Sequence, residues 1–513
     1  MLSIVHGCAI VGIEGQIVEV ETDFNPRAAL PQFNIVGLPD SAVRESRERV
    51  RAAIKNSNMQ FVNKAYVVNL SPADLPKSGP AYDLSIAVGV LAATDQVPMA
   101  SLEGALFIGE LSLDGAIRHV KGVMSMALAA AEAGLKRIFV PVEDAREAAL
   151  IGAIEVFPVE SLGQLVEHLY NLAPIAPFYV DVASILSQEP SSIEGLTDFA
   201  DIRGQEGAKR ALEIAAAGNH NLRMTGPPGS GKTLLARALP GILPRLALNE
   251  ALDVTRIYSV ADMLSADQGL MLTRPFRAPH HTISLAGMVG GGAVPRPGEV
   301  TLAHRGVLFL DEVNEHGQHT LEGLRQPIED KFVTISRAKG TLTFPANFLL
   351  ILAHNPCPCG YLGDPIKPCT CTPAMISRYQ SKLSGPLLDR VDIHIEVPRV
   401  DYDKLLLDTR AEPSRDVRAR VESARAIQLA RFAGTGLYAN GDMDVKELNE
   451  WCVMEPSARQ LLETAVRRMS LSARSYHRMM KLSRTIADLA ESALITVTHV
   501  AEAVQYRPKM GGT

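Results

Sequence analysis

Apolar and polar positions follow two rhythms along this chain. Short apolar runs at 65–70, 137–140, 221–225, 307–310 and 348–353 have the length and composition of buried strands. Between them, segments at 82–93, 119–133, 206–217 and 234–239 have helical composition, and Gly134 stands where the second would end. The charged stretch 44–55 holds Arg44, Glu45, Arg47, Glu48, Arg49, Arg51 and Lys55 and suits an exposed helix. Residues 331–345 read as strand, tip and strand. Phe332, Thr334 and Ile335 favour extended structure, and the tip is Ala338-Lys339-Gly340. Beyond residue 400 the pattern is helical, with a helix starting at Ser472 and running through Arg484. Strands alternating with helices place the chain in the α/β class.

Length divides this pattern. A chain of 513 residues is too long for one core and predicts about two to four domains. Residues 171–197 change character: Pro174, Pro177, Pro190, Ser187, Ser191 and Ser192 suggest a linker. The expected layout is a first domain over 1–170, the linker, a nucleotide-binding core over 198–398, and helices over 399–513. A net charge of −6 excludes a basic nucleic-acid coat, though local basic patches remain open. No run of about eighteen apolar residues appears, and the start of the chain lacks a basic segment, so a cytoplasmic protein without membrane spans is expected. Six cysteines in such a length do not make a disulfide scaffold.

The chemistry begins at Gly226-Pro227-Pro228-Gly229-Ser230-Gly231-Lys232-Thr233, which fits G-x-x-x-x-G-K-[ST] between a strand and a helix. The glycines let backbone N–H groups close around phosphates, and the helix N-terminus adds positive potential. Lys232 would reach the β- and γ-phosphates of ATP, and the Thr233 hydroxyl would bind Mg²⁺. The run Val307-Leu308-Phe309-Leu310 ends in Asp311-Glu312, at the strand end where α/β sheets place ligand groups. Asp311 would hold Mg²⁺ through water, and Glu312 would orient or deprotonate the attacking water. Farther on, Cys357, Cys359, Cys369 and Cys371 form two Cys-x-Cys pairs joined by a loop rich in glycine and proline. Four thiolates around Zn²⁺ is one reading, and free or redox-active thiols is the other. Cys8 and Cys452 stand alone and read as core residues.

Several segments resemble known families. Ile202 and Gln205 lie in a segment similar to the adenine-site segment of AAA+ ATPases. Asn355, after the strand at 348–353, resembles their sensor-1 residue, with a turn-forming asparagine before Pro356 as the alternative. Ser384-Gly385-Pro386-Leu387-Leu388-Asp389-Arg390 resembles the segment carrying an arginine finger, which makes Arg390 the candidate. A surface pair with Asp389 or Asp392 is the other reading. Arg474 resembles the sensor-2 arginine of the helical lid, with Arg484 in reserve. Pro76-Lys77-Ser78-Gly79-Pro80-Ala81 and Gly109-Glu110-Leu111-Ser112-Leu113-Asp114-Gly115 resemble the two active-site segments of Lon-type proteases. There the serine falls on Ala81 and the lysine near Met124, with Lys121 about one helical turn away. Neither Ala81 nor Met124 can do that chemistry.

Two inserts narrow the family. Arg274-Pro275-Phe276-Arg277-Ala278-Pro279-His280-His281-Thr282 and the hairpin at 331–345 resemble the helix-2 insert and pre-sensor-1 hairpin of Mg-chelatase and minichromosome-maintenance AAA+ proteins. With the Lon-like front and the cysteine stretch, the chain closely resembles the ComM/YifB family. The resemblance implies a Lon-like α+β domain without its catalytic dyad, a P-loop α/β core and a helical lid. It implies ATP and Mg²⁺ as cofactors, a homohexamer, and action on DNA in branch migration during natural transformation, alongside recombination proteins. Arg337 and Lys339 at the hairpin tip are the DNA-contact candidates. The competing reading is a chelatase-type subunit that remodels a partner protein.

Overall fold

The computed structural model describes residues 1–187, 197–265, 269–292, 295–337, 340–399, 411–469 and 471–507. The chain divides into two compact units.

The first unit contains residues 1–189 and 251–271. Its seven-stranded sheet runs in the order Gln32–Val36, Ala65–Ser71, Glu14–Asn25, Leu2–Val11, Ala105–Phe107, Arg137–Pro141 and Glu155–Val159. Leu2–Val11 and Glu14–Asn25 form an antiparallel hairpin, whereas the strands from Ala105 onward are added in parallel. Helix Asp83–Ala93 is apolar on every side and buried along its whole length. Its one charge, Asp83, is met by Ser46 at 2.5 Å, Arg49 at 2.6 Å and the Leu111 N–H at 3.2 Å. A buried carboxylate needs that many partners to offset its desolvation. The charged stretch at 44–55 is helix Ser41–Asn56, with Val43, Val50, Ala53 and Ile54 on its buried face. Part of the expected linker is ordered: the Phe178 N–H donates to Val156 O at 2.7 Å, and Val182–Ser187 is a helix.

Residues 251–271 fall inside the stretch expected to be nucleotide-binding core, yet they pack with the first unit. There Ser259 donates to Glu147 at 2.5 Å and Arg256 to Glu14 at 2.6 Å.

The second unit contains residues 190–250 and 272–513. Its five-stranded sheet is parallel throughout, in the order Phe276–Arg277, Val307–Leu310, Leu349–His354, Leu222–Thr225 and Ile393–Glu396. The order changes direction on either side of Leu222–Thr225. Open parallel sheets bind ligands outside the carboxyl ends of the strands at such a switch point. Hairpin strands Phe332–Arg337 and Gly340–Pro345 pair from Phe332↔Pro345 to Arg337↔Gly340. Helices Ser414–Arg431, Val445–Trp451, Pro456–Arg468, Ala473–Leu489 and Val497–Gln505 form the C-terminal part. Gln428 and Arg425 tie it to the carbonyls of Ala217 and Ala216.

Candidate nucleotide site

The phosphate loop leaves strand Leu222–Thr225 and enters helix Lys232–Ala238. Gly229 and Gly231 have φ of 74° and 91°, a region where a Cβ is strained. Lys232 is buried, and its ammonium donates to the carbonyls of Gly226 at 2.8 Å and Pro227 at 2.9 Å. Burial draws its pKa down, while Asp311 and Glu312 oppose the shift. Thr233 Oγ1 donates to Asp311 Oδ2 at 2.7 Å. These two hard oxygens therefore meet across neighbouring elements, which suits a site for Mg²⁺.

Glu312 stands just beyond strand Val307–Leu310, exposed, with φ of 46°. A left-handed glutamate is uncommon, and such outliers gather at functional positions. Its N–H donates to Asp311 Oδ1 at 2.9 Å. Asn355 Oδ1 lies 3.3 Å from Lys232 Nζ, so the end of the next strand reaches the same ammonium. Gln205, in the candidate adenine-site segment, donates to Ser230 O at 3.2 Å and Pro398 O at 2.6 Å and braces the phosphate loop. Ile202 is buried in the core beside it.

His354 belongs to this constellation, and the strand pattern gave it no role. It is buried, its ring bonds Thr225 Oγ1 at 2.9 Å and Arg223 Nε at 2.7 Å, and its Nδ1 faces Asn355 O at 2.7 Å. Burial and the nearby Arg223 push its pKa down to about 3, so the ring is neutral and accepts from Arg223 at Nε2. It locks the strand of Asn355 to the strand of the phosphate loop. The signal was a histidine closing an apolar run, just before Asn355, which chemistry can explain only after the neighbouring strand is known.

Arg390 does not pair with Asp389 or Asp392. Asp392 takes Arg478 at 3.3 Å and His220 at 3.5 Å. Arg390 instead donates to Pro386 O at 2.6 Å and to Glu329, and Arg474 pairs with the same Glu329. The finger and sensor-2 candidates thus share one carboxylate. Arg484, the reserve choice, is buried and spends its guanidinium on Asp488, Ala493 O and Ser492 O. It is a structural residue of helix Ala473–Leu489. Arg274 is likewise engaged, with Glu250 at 2.8 Å and the carbonyls of Pro244 and Arg305.

Hairpin residue Lys339 lies outside the described residues. Arg337 ends strand Phe332–Arg337, and Lys331 at the base pairs with Asp442 at 3.8 Å.

In the first unit, Ala81 and Met124 are both buried, and the Met124 N–H donates to Glu147 at 2.6 Å. Lys121 is exposed. Burial pushes the Glu147 pKa up to about 7, although Ser259 and the Met124 amide favour its charged form.

The four clustered cysteines converge. Their sulfurs all lie within 4.8 Å of one another, at 3.4 Å for Cys357–Cys359, 3.7 Å for Cys357–Cys369 and 3.6 Å for Cys359–Cys369. Tetrahedral thiolates at about 2.3 Å from zinc stand about 3.8 Å apart, so the donor set fits. The amides of Cys359 and Cys371 donate to the sulfurs of Cys371 and Cys369, as outer-shell donors to thiolates do. Backbone donors pull the Cys359 pKa down to about 5. Purified without chelator, the protein is expected to carry about one zinc per chain by elemental analysis. A folded, metal-free and active preparation would remove the site. Cys8 and Cys452 are buried, and burial pushes both pKa values up to about 12.

Comparison with known proteins agrees with this architecture. Residues 198–405 match the family model described as magnesium chelatase, subunit ChlI, residues 20–144 match subunit ChlI of Mg-chelatase, and residues 411–507 match its C-terminal model. The chain is 41% identical over 510 residues to the uncharacterized protein YifB of Salmonella typhimurium, covering 99% of this chain and 97% of YifB. It is 40% identical over 511 residues to competence protein ComM of Haemophilus influenzae, covering 99% and 97%. A more distant match, 24% identical over 200 residues, is Lon protease 2 of Bacillus subtilis, covering 35% of this chain and 36% of that protein.

Proposed function

The chain belongs to the ComM/YifB family of magnesium-chelatase-like AAA+ proteins, and on that premise we propose that it hydrolyses ATP as a homohexameric motor that moves DNA, in branch migration of recombination intermediates. The observation that carries the ATPase reading is the meeting of Lys232, Thr233, Asp311 and Asn355 from three adjacent strand ends.

In this reading Lys232 leaves its loop carbonyls for the β- and γ-phosphate oxygens. Bound Mg²⁺, held by Thr233 and by Asp311 through water, would offset the phosphate charge. Glu312 orients the attacking water and takes its proton. Asn355 fixes that water with its amide. Arg390, and with it Arg474, serves the nucleotide of a neighbouring subunit, stabilising the charge that develops on the transferred group. Among the described residues no hydrogen bond or ion pair joins either arginine to Lys232, Thr233, Asp311 or Glu312 of its own chain. Zinc at the four thiolates is assigned a structural role. With alanine at 81 and methionine at 124, the Lon-like domain is assigned no peptidase activity.

The DNA reading rests on the hairpin. Its second strand, Gly340–Pro345, leads directly into strand Leu349–His354, which ends at Asn355. A rearrangement at the γ-phosphate therefore has a short covalent path to the tip. In a ring, Arg337 and Lys339 would grip backbone phosphates without reading bases. Arg337→Ala with Lys339→Ala is expected to keep basal ATPase activity and oligomerisation. DNA stimulation and strand displacement should fall, and the salt slope of DNA binding should become shallower by about one unit per lost contact. Unchanged DNA-stimulated ATPase and unwinding of four-way DNA at moderate salt would sink this assignment. The matches to three ChlI models favour one other reading, a chelatase-type subunit that remodels a partner protein. In that case DNA would not stimulate the wild-type ATPase at all.

A further inference from the structure

The segment between Asn355 and helix Pro373–Gln380 has little to hold it by ordinary packing. Among residues 356–372 only Cys357 and Gly360 are buried, while Leu362 and Ile366 are exposed. In place of an apolar core it has polar contacts, with Asp364 paired to Arg399 at 2.8 Å and the Arg399 guanidinium over the Tyr361 ring, and four converging thiols, the arrangement by which a metal ion orders such a loop.

The segment and its two ends border the candidate nucleotide site at three places. At its start, Asn355 reaches Lys232. Gly360 turns the chain with φ of 84°, its N–H donating to Cys357 O at 2.9 Å. A Cβ at Gly360 would lie 2.5 Å from Cδ and 2.8 Å from Cγ of Pro228, and 3.8 Å from Cγ of Asn355. The backbone at Gly360 is therefore in close contact with the phosphate loop itself. At its far end, helix Pro373–Gln380 offers Tyr379 O to Asn314 Nδ2 at 2.8 Å, just beyond Asp311 and Glu312. Gln380 reaches back to Pro356 O at 3.1 Å and closes the loop.

We propose that an ion held by Cys357, Cys359, Cys369 and Cys371, zinc by its donor set, positions the phosphate loop by holding Gly360 against Pro228 and Asn355. The inference rests on the nucleotide-site reading and deepens it. Cys357 and Cys359 lie immediately before Gly360, so their coordination fixes the backbone that bears on Pro228. Without the ion the two Cys-x-Cys pairs separate, Gly360 withdraws, and Pro228 and Asn355 lose their backing. The cluster thus governs nucleotide affinity as well as local order.

The test is equilibrium binding of a fluorescent ADP analogue to the full-length protein at fixed Mg²⁺. Protein stripped of zinc, with Mg²⁺ restored, is expected to bind about tenfold more weakly or worse, and one equivalent of zinc should restore affinity. Gly360→Ala separates contact from folding, because it leaves all four cysteines in place. It should retain zinc at the wild-type stoichiometry yet bind nucleotide about tenfold more weakly. Gly363→Ala is the control. That glycine has φ of 79° in the same loop, but a Cβ there meets nothing within 4 Å. It should leave both zinc content and nucleotide affinity near wild type. Zinc-free protein that binds nucleotide as tightly as loaded protein would overturn the proposal, as would Gly360→Ala with zinc and affinity both intact. Equal loss of affinity in the two glycine variants would assign the effect to backbone strain and overturn it too. A loaded wild-type protein that binds no nucleotide would instead overturn the nucleotide-site reading, and this inference with it.

Discussion

Glu312→Gln is expected to bind ATP normally and to lose turnover by about 10²–10⁴-fold. The substitution keeps the size and much of the hydrogen-bonding shape of the side chain but removes its basicity. Binding should survive because the phosphate contacts come from other residues. Lys232 and Thr233 sit on the loop and its helix, and Thr233 is held by Asp311 rather than by Glu312. Glu312 is exposed, and among the described residues its hydrogen bonds are made by its backbone, the N–H to Asp311 Oδ1 and the carbonyl from the Glu315 N–H, so the side chain does not hold the fold. That makes the variant a test of chemistry and not of stability. Single-turnover hydrolysis beside equilibrium ATP binding separates the two effects. Hydrolysis near the wild-type rate by the pure variant would take Glu312 out of the role.

Arg390→Ala is expected to abolish steady-state ATPase activity while each chain still binds nucleotide. An arginine finger acting across an interface contributes about 10³–10⁵-fold to turnover. In the single chain Arg390 is parked on Glu329 and Pro386 O, beside Arg474 on the same carboxylate. A neighbour's triphosphate would compete for both guanidiniums, and a phosphate group offers more negative charge than one carboxylate. The decisive measurement mixes Arg390→Ala with Glu312→Gln. Some interfaces in mixed rings then combine an intact Glu312 with an intact Arg390, and part of the activity should return. No recovery at any ratio, with mixed rings verified, would mean that Arg390 does not act in trans.

Much of the candidate nucleotide site's local geometry was legible because its signals are local. A glycine turn of fixed spacing, an apolar strand ending in two acids, and an asparagine at the end of the next strand each sit within a few residues. Local spacing fixes local backbone, and parallel strands bring their carboxyl ends together whatever lies between them. The four cysteines were legible in the same way, since two short pairs on a tight loop have few places to go. The counter-ion of Arg390 was not, because Glu329 is distant in sequence and Asp389 and Asp392 are near. Nearby acids look like partners on paper, but Asp392 was already committed to Arg478 and His220. Arg474 and Arg484 were both candidates in sequence, and burial of Arg484 against Asp488 separates the structural arginine from the other.

By itself, then, the sequence determined what a few adjacent residues can do: cradle phosphate, present two carboxylates, gather four thiols, and exclude a serine–lysine dyad at positions 81 and 124. Tertiary structure alone decided which of these meet. It placed His354 between two strands as a neutral lock, set Gly360 against Pro228, and gave residues 251–271 to the first unit although they lie within the stretch expected to be nucleotide-binding core. The physical reason is the range of the forces that write each signal. Backbone preferences and short loops act over a turn or two and leave a local pattern. Pairings between residues distant in sequence leave no such pattern, so only the fold brings Ser259 to Glu147 and Arg256 to Glu14.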